Sequence, residues 1–296
     1  MTGPALVSPD APGDSAAPPP RQYFPLLALV LLVLLVLLYG PTSLGLVRDW
    51  WDDPDYSHGF VVPVFAGFMI AQRRRELMAL EPSTSWAGLA LLLVGLATLL
   101  LGDFGAELFL TRSSLVVVLA GLVLLHLGPS IFRIVRFPLA YLLFMIPLPA
   151  TLYYAVTFPL QRLAARSAAW TLDRLDIPVL LEGNIIHLTQ LSLGIAEACS
   201  GIRSLLSLVA VAVAWAYFLV PGRWAQVILV GAAFPIAVFG NVCRVLVTAL
   251  VATWLGGNYA EGFYHLFSGW VVFLAALTLL ATVDHLLRLG SQRRVG

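Results

Sequence analysis

The segment EACSGIRSLLSLVAVAVAWAYFLV, residues 197–220, joins a short polar stretch to a long apolar run. From residue 202 to 220 the run consists mainly of Leu, Val, Ala and aromatic residues, a pattern typical of a transmembrane helix. Cys199, Ser200 and Gly201 lie directly before this run. The segment therefore predicts a membrane span that begins next to a reactive thiol.

The whole chain has the composition of a multi-pass membrane protein. Of its 296 residues, 60% are hydrophobic and 11% are charged, and the mean hydropathy is +0.91. Every basic side chain is arginine, so a lysine nucleophile is excluded. No cluster of arginines and aromatic residues indicates a nucleic-acid partner. The two cysteines form neither a disulfide framework nor a zinc motif, so the sequence predicts no metal and no cofactor.

Further apolar runs extend this pattern along the chain and predict an all-α integral membrane protein with about eight transmembrane helices. The predicted spans are residues 24–39, 59–71, 86–101, 113–127, 137–146, 202–220, 224–240 and 266–287. Residues 1–22 are rich in Pro, Ala, Gly and Ser and predict a disordered tail. Residues 23–288 are the predicted membrane domain, and residues 289–296 are a basic tail.

The arginines predict the orientation of these spans. With a cytoplasmic N-terminus, most arginines, including Arg73, Arg74 and Arg75, fall in cytoplasmic segments. The acidic residues, such as those between residues 49 and 55, fall in outer segments. This distribution follows the positive-inside rule. It predicts a multi-pass protein of the cytoplasmic (inner) membrane with both termini in the cytoplasm.

The largest outer segment, residues 150–198, predicts two elements on the outer face. Residues 152–175 alternate apolar side chains with Gln161 and several arginines, which favours an amphipathic helix lying in the membrane interface. Residues 179–181 and 185–188 are apolar and flank the turn-like Glu182-Gly183-Asn184. That pattern predicts a short β-hairpin above the bilayer.

Cys199 is predicted to lie at the amino terminus of the sixth span. A helix amino terminus offers unpaired N–H groups and the positive end of the helix dipole, and both favour a thiolate. Ser200 and Gly201 allow a close backbone approach, and their N–H groups are candidate oxyanion donors. Arg203 follows Cys199 by four residues and is expected on the same helix face. A buried, inert cysteine is the ordinary alternative.

Arg244 and His265 are predicted to lie on the same side of the membrane as Cys199, at the outer ends of the seventh and eighth spans. Asn241 precedes Arg244 by three residues and shares its helix face. A thiol, a guanidinium and an imidazole supply a nucleophile, an oxyanion partner and an acid/base, the minimum set for acyl transfer through a thioester. Taken singly, Arg244 and His265 are equally explained as membrane anchors, and Cys243 is predicted to be a packing residue.

Four patches of this sequence resemble the exosortase/archaeosortase family of multi-pass membrane cysteine transpeptidases. They are Tyr56-Ser57-His58-Gly59, Phe144-Met145-Ile146-Pro147-Leu148-Pro149, the segment from Glu197 to Leu205, and Asn241-x-x-Arg244 followed by His265. The nucleophile segment with its Arg and His is the specific part of this resemblance. The other two patches are supporting only.

The resemblance implies that Cys199 attacks a peptide carbonyl of a secreted protein at the outer (periplasmic or extracellular) face. Such substrates carry a C-terminal sorting signal, which is a Pro-Glu-Pro-type motif, an apolar span and a basic tail. His265 would act as acid/base, Arg244 would stabilise the oxyanion, and the thioacyl group would pass to an unknown amine acceptor or to water. The substrate-binding or supporting residues would be Glu197, Ser200, Gly201, Arg203, Asn241 and His58.

Two other functions fit parts of the same pattern. In a transporter or channel, Arg244, Asn241, His265 and His58 would line a polar path through the bilayer. In a non-catalytic component of surface-polysaccharide export, Cys199→Ala would be tolerated. His58 itself has a second interpretation, because its loop also contains Trp50, Trp51 and Tyr56 and resembles an interfacial anchor.

Overall fold

The computed structural model describes residues 24–189, 192–194, 201–256 and 263–292. The α-helices are α1 (Phe24–Asp52), α2 (Val61–Gln72), α3 (Arg74–Met78), α4 (Trp86–Phe104), α5 (Leu108–Tyr141), α6 (Ala150–Arg174), α7 (Ile202–Leu219), α8 (Arg223–Leu255) and α9 (Phe263–Gln292). Two 3₁₀ helices, Pro54–Phe60 and Leu142–Met145, follow α1 and α5. The strands are β1 (Val179–Glu182), β2 (Ile185–Leu188) and β3 (Ser192–Gly194).

Residue contacts divide the chain after Pro41 into two units. The described part of the first unit is the helical stretch 24–41, in which Leu32, Val36 and Leu37 are among many exposed apolar side chains. A helix that is apolar all round is suited to a lipid environment. The second unit begins at Thr42 and contains the remaining elements.

Within the described residues, six helices are long and apolar enough to cross a membrane. They cover Pro25–Asp52, Trp86–Phe104, Leu108–Met145, Ile202–Leu219, Arg223–Trp254 and Phe267–Gly290. The protein is therefore a mostly helical, multi-pass membrane protein, as the composition predicted. The predicted spans at 59–71 and 137–146 do not meet this description by themselves. The first is the 12-residue α2, and the second lies in the last part of the candidate Leu108–Met145, which also contains the predicted span 113–127.

A break inside α5 separates the fourth and fifth predicted spans. Gly128 has φ +83° and ψ 175°, which is not a helical conformation, and Pro129 follows it. The helical stretches before and after Gly128 are therefore two segments joined at a sharp bend. The first packs closely on α4, since a Cβ atom at Gly95 would lie 2.7 Å from Val118 and one at Gly121 would lie 2.6 Å from Leu92.

α6 and the strands form a second packed region with the last turns of α8. Ala165 and Leu172 of α6, Ile186 of β2, Leu193 of β3 and Ala249 of α8 share one buried cluster. The opposite face of α6 exposes Phe158, Leu163, Trp170 and its arginines, as an amphipathic helix would. α6 is not among the helices that could cross a membrane. Its location in the membrane interface stays a prediction.

The predicted hairpin is present, and it belongs to a larger sheet. β1 pairs with β2 in antiparallel register, with Glu182 opposite Ile185. β3 adds a third antiparallel strand that the sequence did not predict. Asn184, in the turn between β1 and β2, donates to Oε1 of the buried Gln161 at 3.2 Å, which fixes the sheet on α6.

α7, α8 and α9 pack around a common core that includes Leu208, Leu229 and Leu280. The carboxyl-terminal end of α7 is joined to α9 by polar contacts. Trp215 Nε1 donates to Asp284 Oδ2 at 3.2 Å, and Arg288 Nη2 donates to the Leu219 carbonyl at 2.7 Å. Arg288 also contacts Asp284, one turn before it in α9. These contacts fix α7 and α9 relative to each other at this end.

Candidate active site

Arg244 and Asn241 lie one turn apart in α8. Asn241 is buried, with 5% of its surface exposed, and Arg244 is half-buried. Arg244 was expected near the outer end of the seventh span, but α8 continues for eleven residues beyond it, to Leu255. The extra turns carry Ala249 and Ala252, which pack against α6 and the sheet. Arg244 is therefore within a long helix and not at its end.

Gly201 packs directly against Asn241. Its φ of +71° is in the left-handed region that favours glycine. A Cβ atom at this position would lie 2.7 Å from Asn241 Nδ2 and 2.8 Å from its Cγ, so a larger residue would displace the amide. Gly201 follows Cys199 by two residues. The segment that contains the predicted nucleophile is thus joined to the segment that contains Arg244.

α7 begins at Ile202, directly after the left-handed Gly201, so Arg203 is its second residue. The expectation that Cys199 and Arg203 share a helix face depends on a residue outside the described part of the chain, and it stays a prediction. Cys199, with Glu197 and Ser200, lies outside the described residues.

Gly269 brings a third segment to Arg244. A Cβ atom at Gly269 would lie 3.6 Å from the guanidinium Cζ and 3.6 Å from Nη2 of Arg244, which is ordinary van der Waals contact. Gly269 follows His265 by four residues, or about one turn, in α9. The backbone of His265 belongs to the first turn of α9, and its side chain lies outside the described residues. The guanidinium of Arg244 therefore lies on the side of α8 that faces the amino-terminal part of α9.

The Tyr56-Ser57-His58-Gly59 patch lies in the 3₁₀ helix Pro54–Phe60 and contacts the Pro-containing patch. His58 Nε2 donates a hydrogen bond to the Phe144 carbonyl at 3.1 Å. Trp50 Nε1 donates to the Met145 carbonyl at 2.7 Å. Two patches separated by more than 80 residues are thus hydrogen-bonded to each other.

Asp55 connects this 3₁₀ helix to α6 and α7. Arg203 Nε donates to Asp55 Oδ1 at 3.1 Å, and the Tyr153 hydroxyl donates to Asp55 Oδ2 at 2.8 Å. The Asp55 side chain is 14% exposed and that of Arg203 is 44% exposed. Neither Asp55 nor Tyr153 was a predicted site residue. No sequence pattern relates Asp55 to Arg203, because they are 148 residues apart.

A second aspartate of the same loop also has a partner within the chain. Asp49 Oδ2 lies 2.7 Å from Arg112 Nη2, and the Arg112 side chain is only 6% exposed. Two of the acidic residues counted on the outer side are therefore engaged in ion pairs. A buried arginine is acceptable in a membrane helix when it is paired in this way.

Burial shifts the pKa values of two tyrosine phenols around Asp55. It raises the pKa of Tyr56 to about 12, and the charge of Asp53 acts in the same direction. Burial also raises the pKa of Tyr153, and its hydrogen bond to Asp55 adds to this shift. Both phenols therefore remain protonated donors at neutral pH.

Burial shifts the pKa of His58 in the opposite direction and lowers it, because burial disfavours the charged imidazolium. His58 is therefore neutral at pH 7, with Nε2 protonated toward Phe144. Within the described residues, no group of three or more His, Cys, Asp or Glu side chains is arranged to hold a metal ion.

Comparison with protein families gives a match over most of the chain. The model of the transmembrane exosortase family matches residues 50–282. The chain belongs to the transmembrane exosortase family. Comparison with curated proteins found no significant match. Comparison with solved structures found none either.

The region matched by the exosortase family contains every segment that meets around Arg244 and Asp55. It begins at Trp50, whose indole contacts Met145, and continues past Gly269 in α9. Most of α1 precedes it.

Proposed function

We propose that this exosortase-family chain is a membrane-embedded cysteine endopeptidase or transpeptidase that cleaves C-terminal sorting signals of secreted proteins. The observation that supports this proposal is the packing around Asn241 and Arg244. A Cβ atom at Gly201, two residues after Cys199 in the sequence, would lie 2.7 Å from Asn241 Nδ2, and one at Gly269, one turn after His265, would lie 3.6 Å from the Arg244 guanidinium. Such packing is what a site formed by the three predicted catalytic residues requires.

The proposed reaction begins with proton transfer from the Cys199 thiol to His265. The thiolate attacks the scissile carbonyl carbon and forms a tetrahedral intermediate, whose oxyanion is stabilised by Arg244 and by backbone N–H groups near Gly201. The C–N bond breaks, and the leaving amine takes the proton from His265. An acceptor amine or a water molecule then attacks the thioester, gives its proton to His265 and releases the Cys199 thiolate.

Supporting roles follow from the contacts of the other residues. Asn241, packed on Gly201, orients the turn that follows Cys199. His58 fixes the early patch to the Phe144 carbonyl. Glu197, Ser200 and Arg203 belong to the nucleophile segment, and we assign them to substrate binding or support. No cofactor or metal takes part in the proposed reaction.

We further propose that the site faces the periplasm or cell exterior. Arg203 and Gly269 mark one end of the α7–α9 bundle, which we call the site end. Leu219 and Arg288 mark the opposite end, which we call the arginine end, and Arg73 lies over the Tyr217 ring there, 5.9 Å from its centre. Along α7 the two ends are about 24 Å apart at about 1.5 Å per residue, close to the thickness of a bilayer core. The positive-inside rule then assigns the arginine end and both termini to the cytoplasm.

The decisive experiment is trapping of the acyl-enzyme in membranes that contain this chain and a signal-bearing substrate. Intact-mass analysis is expected to find a substrate fragment in thioester linkage to Cys199. Cys199→Ala and Cys199→Ser should abolish both adduct and cleavage with normal membrane insertion. Cys243→Ala, which removes the other thiol, is the matched control and should retain both.

Cleavage that persists in Cys199→Ala would overturn the nucleophile assignment. Normal insertion with neither adduct nor cleavage, together with solute flux that depends on Arg244, would favour the transporter interpretation. Loss of surface-polysaccharide export that is fully restored by Cys199→Ala would favour the non-catalytic export component.

A further inference from the structure

Arg203 occupies a position that local helix energetics do not favour. It is the second residue of α7. The amino terminus of a helix carries a partial positive charge, so a cation in the first turn is unfavourable unless another group compensates it. Asp55 supplies that compensation through its 3.1 Å contact with Arg203 Nε. The position of Arg203 therefore depends on a residue far away in sequence.

Asp55 is held in place independently of Arg203. Its backbone N–H donates to Asp53 Oδ1 at 2.9 Å, which caps the 3₁₀ helix Pro54–Phe60. Its second carboxylate oxygen accepts from Tyr153, in the first turn of α6. The same 3₁₀ helix is fixed to the Phe144 carbonyl through His58. Asp55 is therefore held by the 3₁₀ helix and by Tyr153, and its carboxylate is a fixed partner for Arg203 in the first turn of α7.

We infer that Asp55 is a positioning residue of the active site, which sets the start of α7, and with it the Cys199 segment, through Arg203. The inference rests on the proposed function. Four residues of chain separate Cys199 from Arg203, and these span at most about 14 Å. Displacement of the first turn of α7 would therefore be transmitted to the nucleophile. Asp55 itself touches neither substrate nor reacting atoms in this assignment.

The test compares two aspartates three residues apart, Asp55 in the 3₁₀ helix and Asp52 at the end of α1, in the Cys243→Ala background. Asp55→Asn removes the charge that holds Arg203 and preserves the side-chain shape, whereas Asp52→Asn makes the same change at an exposed position. The first measurement is the rate of Cys199 alkylation by N-ethylmaleimide in membranes, followed by intact mass. Asp55→Asn should change this rate by about threefold or more, and Asp52→Asn should not change it.

The second measurement separates positioning from folding. With substrate, Asp55→Asn should lower kcat by about tenfold or more, while KM changes by less than about threefold. Its melting temperature should stay within about 3 °C of the parent. The exchanged pair Asp55→Arg with Arg203→Asp should recover at least about fivefold of the kcat lost in either single variant. If Asp55→Asn does not fold, Tyr153→Phe removes one hydrogen bond from the same carboxylate and should change the alkylation rate in the same direction.

An alkylation rate unchanged by Asp55→Asn, or by Tyr153→Phe in its place, would overturn the inference. So would an exchanged pair no more active than the single variants. The alkylation arm needs no substrate. If the parent chain cleaves no signal-bearing protein, the proposed function is overturned. The alkylation rates would still show whether Asp55 positions Cys199.

Discussion

The two ends of α7 are both fixed by ion pairs, but they are built differently. At the arginine end, Asp284 and Arg288 are four residues apart in α9 and are joined to Trp215 and Leu219 of α7. At the site end, Asp55 is joined to Arg203 across 148 residues and to Tyr153 across 98. The first arrangement ties two helices, whereas the second ties three segments, which are the 3₁₀ helix Pro54–Phe60, α6 and α7.

Backbone conformation, and not exposure, separates the two ends further. The arginine and aspartate side chains are 45% and 9% exposed at the arginine end, and 44% and 14% exposed at the site end. At the site end the left-handed Gly201 directly precedes α7 and packs on the buried Asn241. A left-handed glycine allows a close backbone approach, whereas the helix-spaced pair of α9 is typical of a structural contact.

The largest effect is expected at Arg244. Arg244→Lys keeps the charge but removes the planar donor fork, so kcat/KM should fall by about 100-fold or more. Arg223→Lys, at the exposed start of the same helix, is the matched control and should change kcat/KM by less than about twofold. Turnover at the parent rate in Arg244→Lys would make this residue a membrane anchor and remove the main contrast between the ends.

Gly201→Ala should have the next largest effect. The substitution imposes left-handed strain on alanine and a contact with Asn241, which together should cost about 2–4 kcal/mol and most of the activity. Gly222→Ala is the control, because Gly222 has φ +93° with nothing within 4 Å of its added Cβ, and it should cost about 1–2 kcal/mol. Thermal unfolding in detergent measures both. Equal losses in the two variants would show that contact with Asn241 is unimportant.

At the arginine end, Asp284→Ala should reduce stability and spare catalysis. The substitution removes the acceptor of Trp215 and Arg288, which should cost about 1–3 kcal/mol. Asp284→Asn, which keeps an acceptor oxygen, should cost less. The kcat of the folded fraction should stay within about twofold of the parent. A specific loss of kcat at full folding would mean that the arginine end also sets the geometry of the site.

The smallest effect is the pH dependence caused by His58. Its pKa in the folded protein is below the ordinary value of about 6.5, so the folded state binds fewer protons than the unfolded state between these two values. Stability contributed by His58 is therefore present above pH 6.5 and is lost as the pH falls toward the folded-state pKa. The melting temperature should drop between pH 7.5 and pH 5.5, and His58→Gln should reduce the drop. An unchanged pH slope in His58→Gln would contradict this assignment.

Local sequence patterns predicted the elements that depend on neighbouring residues. The hairpin at 179–188 and the helix at 150–174 were predicted because strand and helix periodicities involve residues only a few positions apart. The number of spans was not determined in the same way. The two helical segments of α5, before and after Gly128, extend through Arg112 and through Arg133 and Arg136, where the apolar runs were interrupted, because backbone hydrogen bonds of a helix do not depend on side-chain polarity.

The sequence predicted which residues belong to the candidate site, but it did not predict the contacts between them. Asn241 and Arg244 were singled out by their polarity within an apolar helix, and Gly201 by its place beside the thiol. Asp55 was counted among several loop aspartates, and nothing local distinguishes it from Asp52. The two residues near Arg203 that were missed, Asp55 and Tyr153, are those whose contacts involve partners distant in the sequence.

The sequence by itself determined that this protein is a multi-pass, mostly helical membrane protein of the exosortase family, because composition and motif identity are properties of residues. The tertiary structure decided that Gly201 meets Asn241, that Gly269 meets Arg244 and that Asp55 holds Arg203. These contacts join segments tens of residues apart, and they form only when the packing of several helices fixes the distances and angles between them. The position of a side chain within a site is therefore a property of the whole fold.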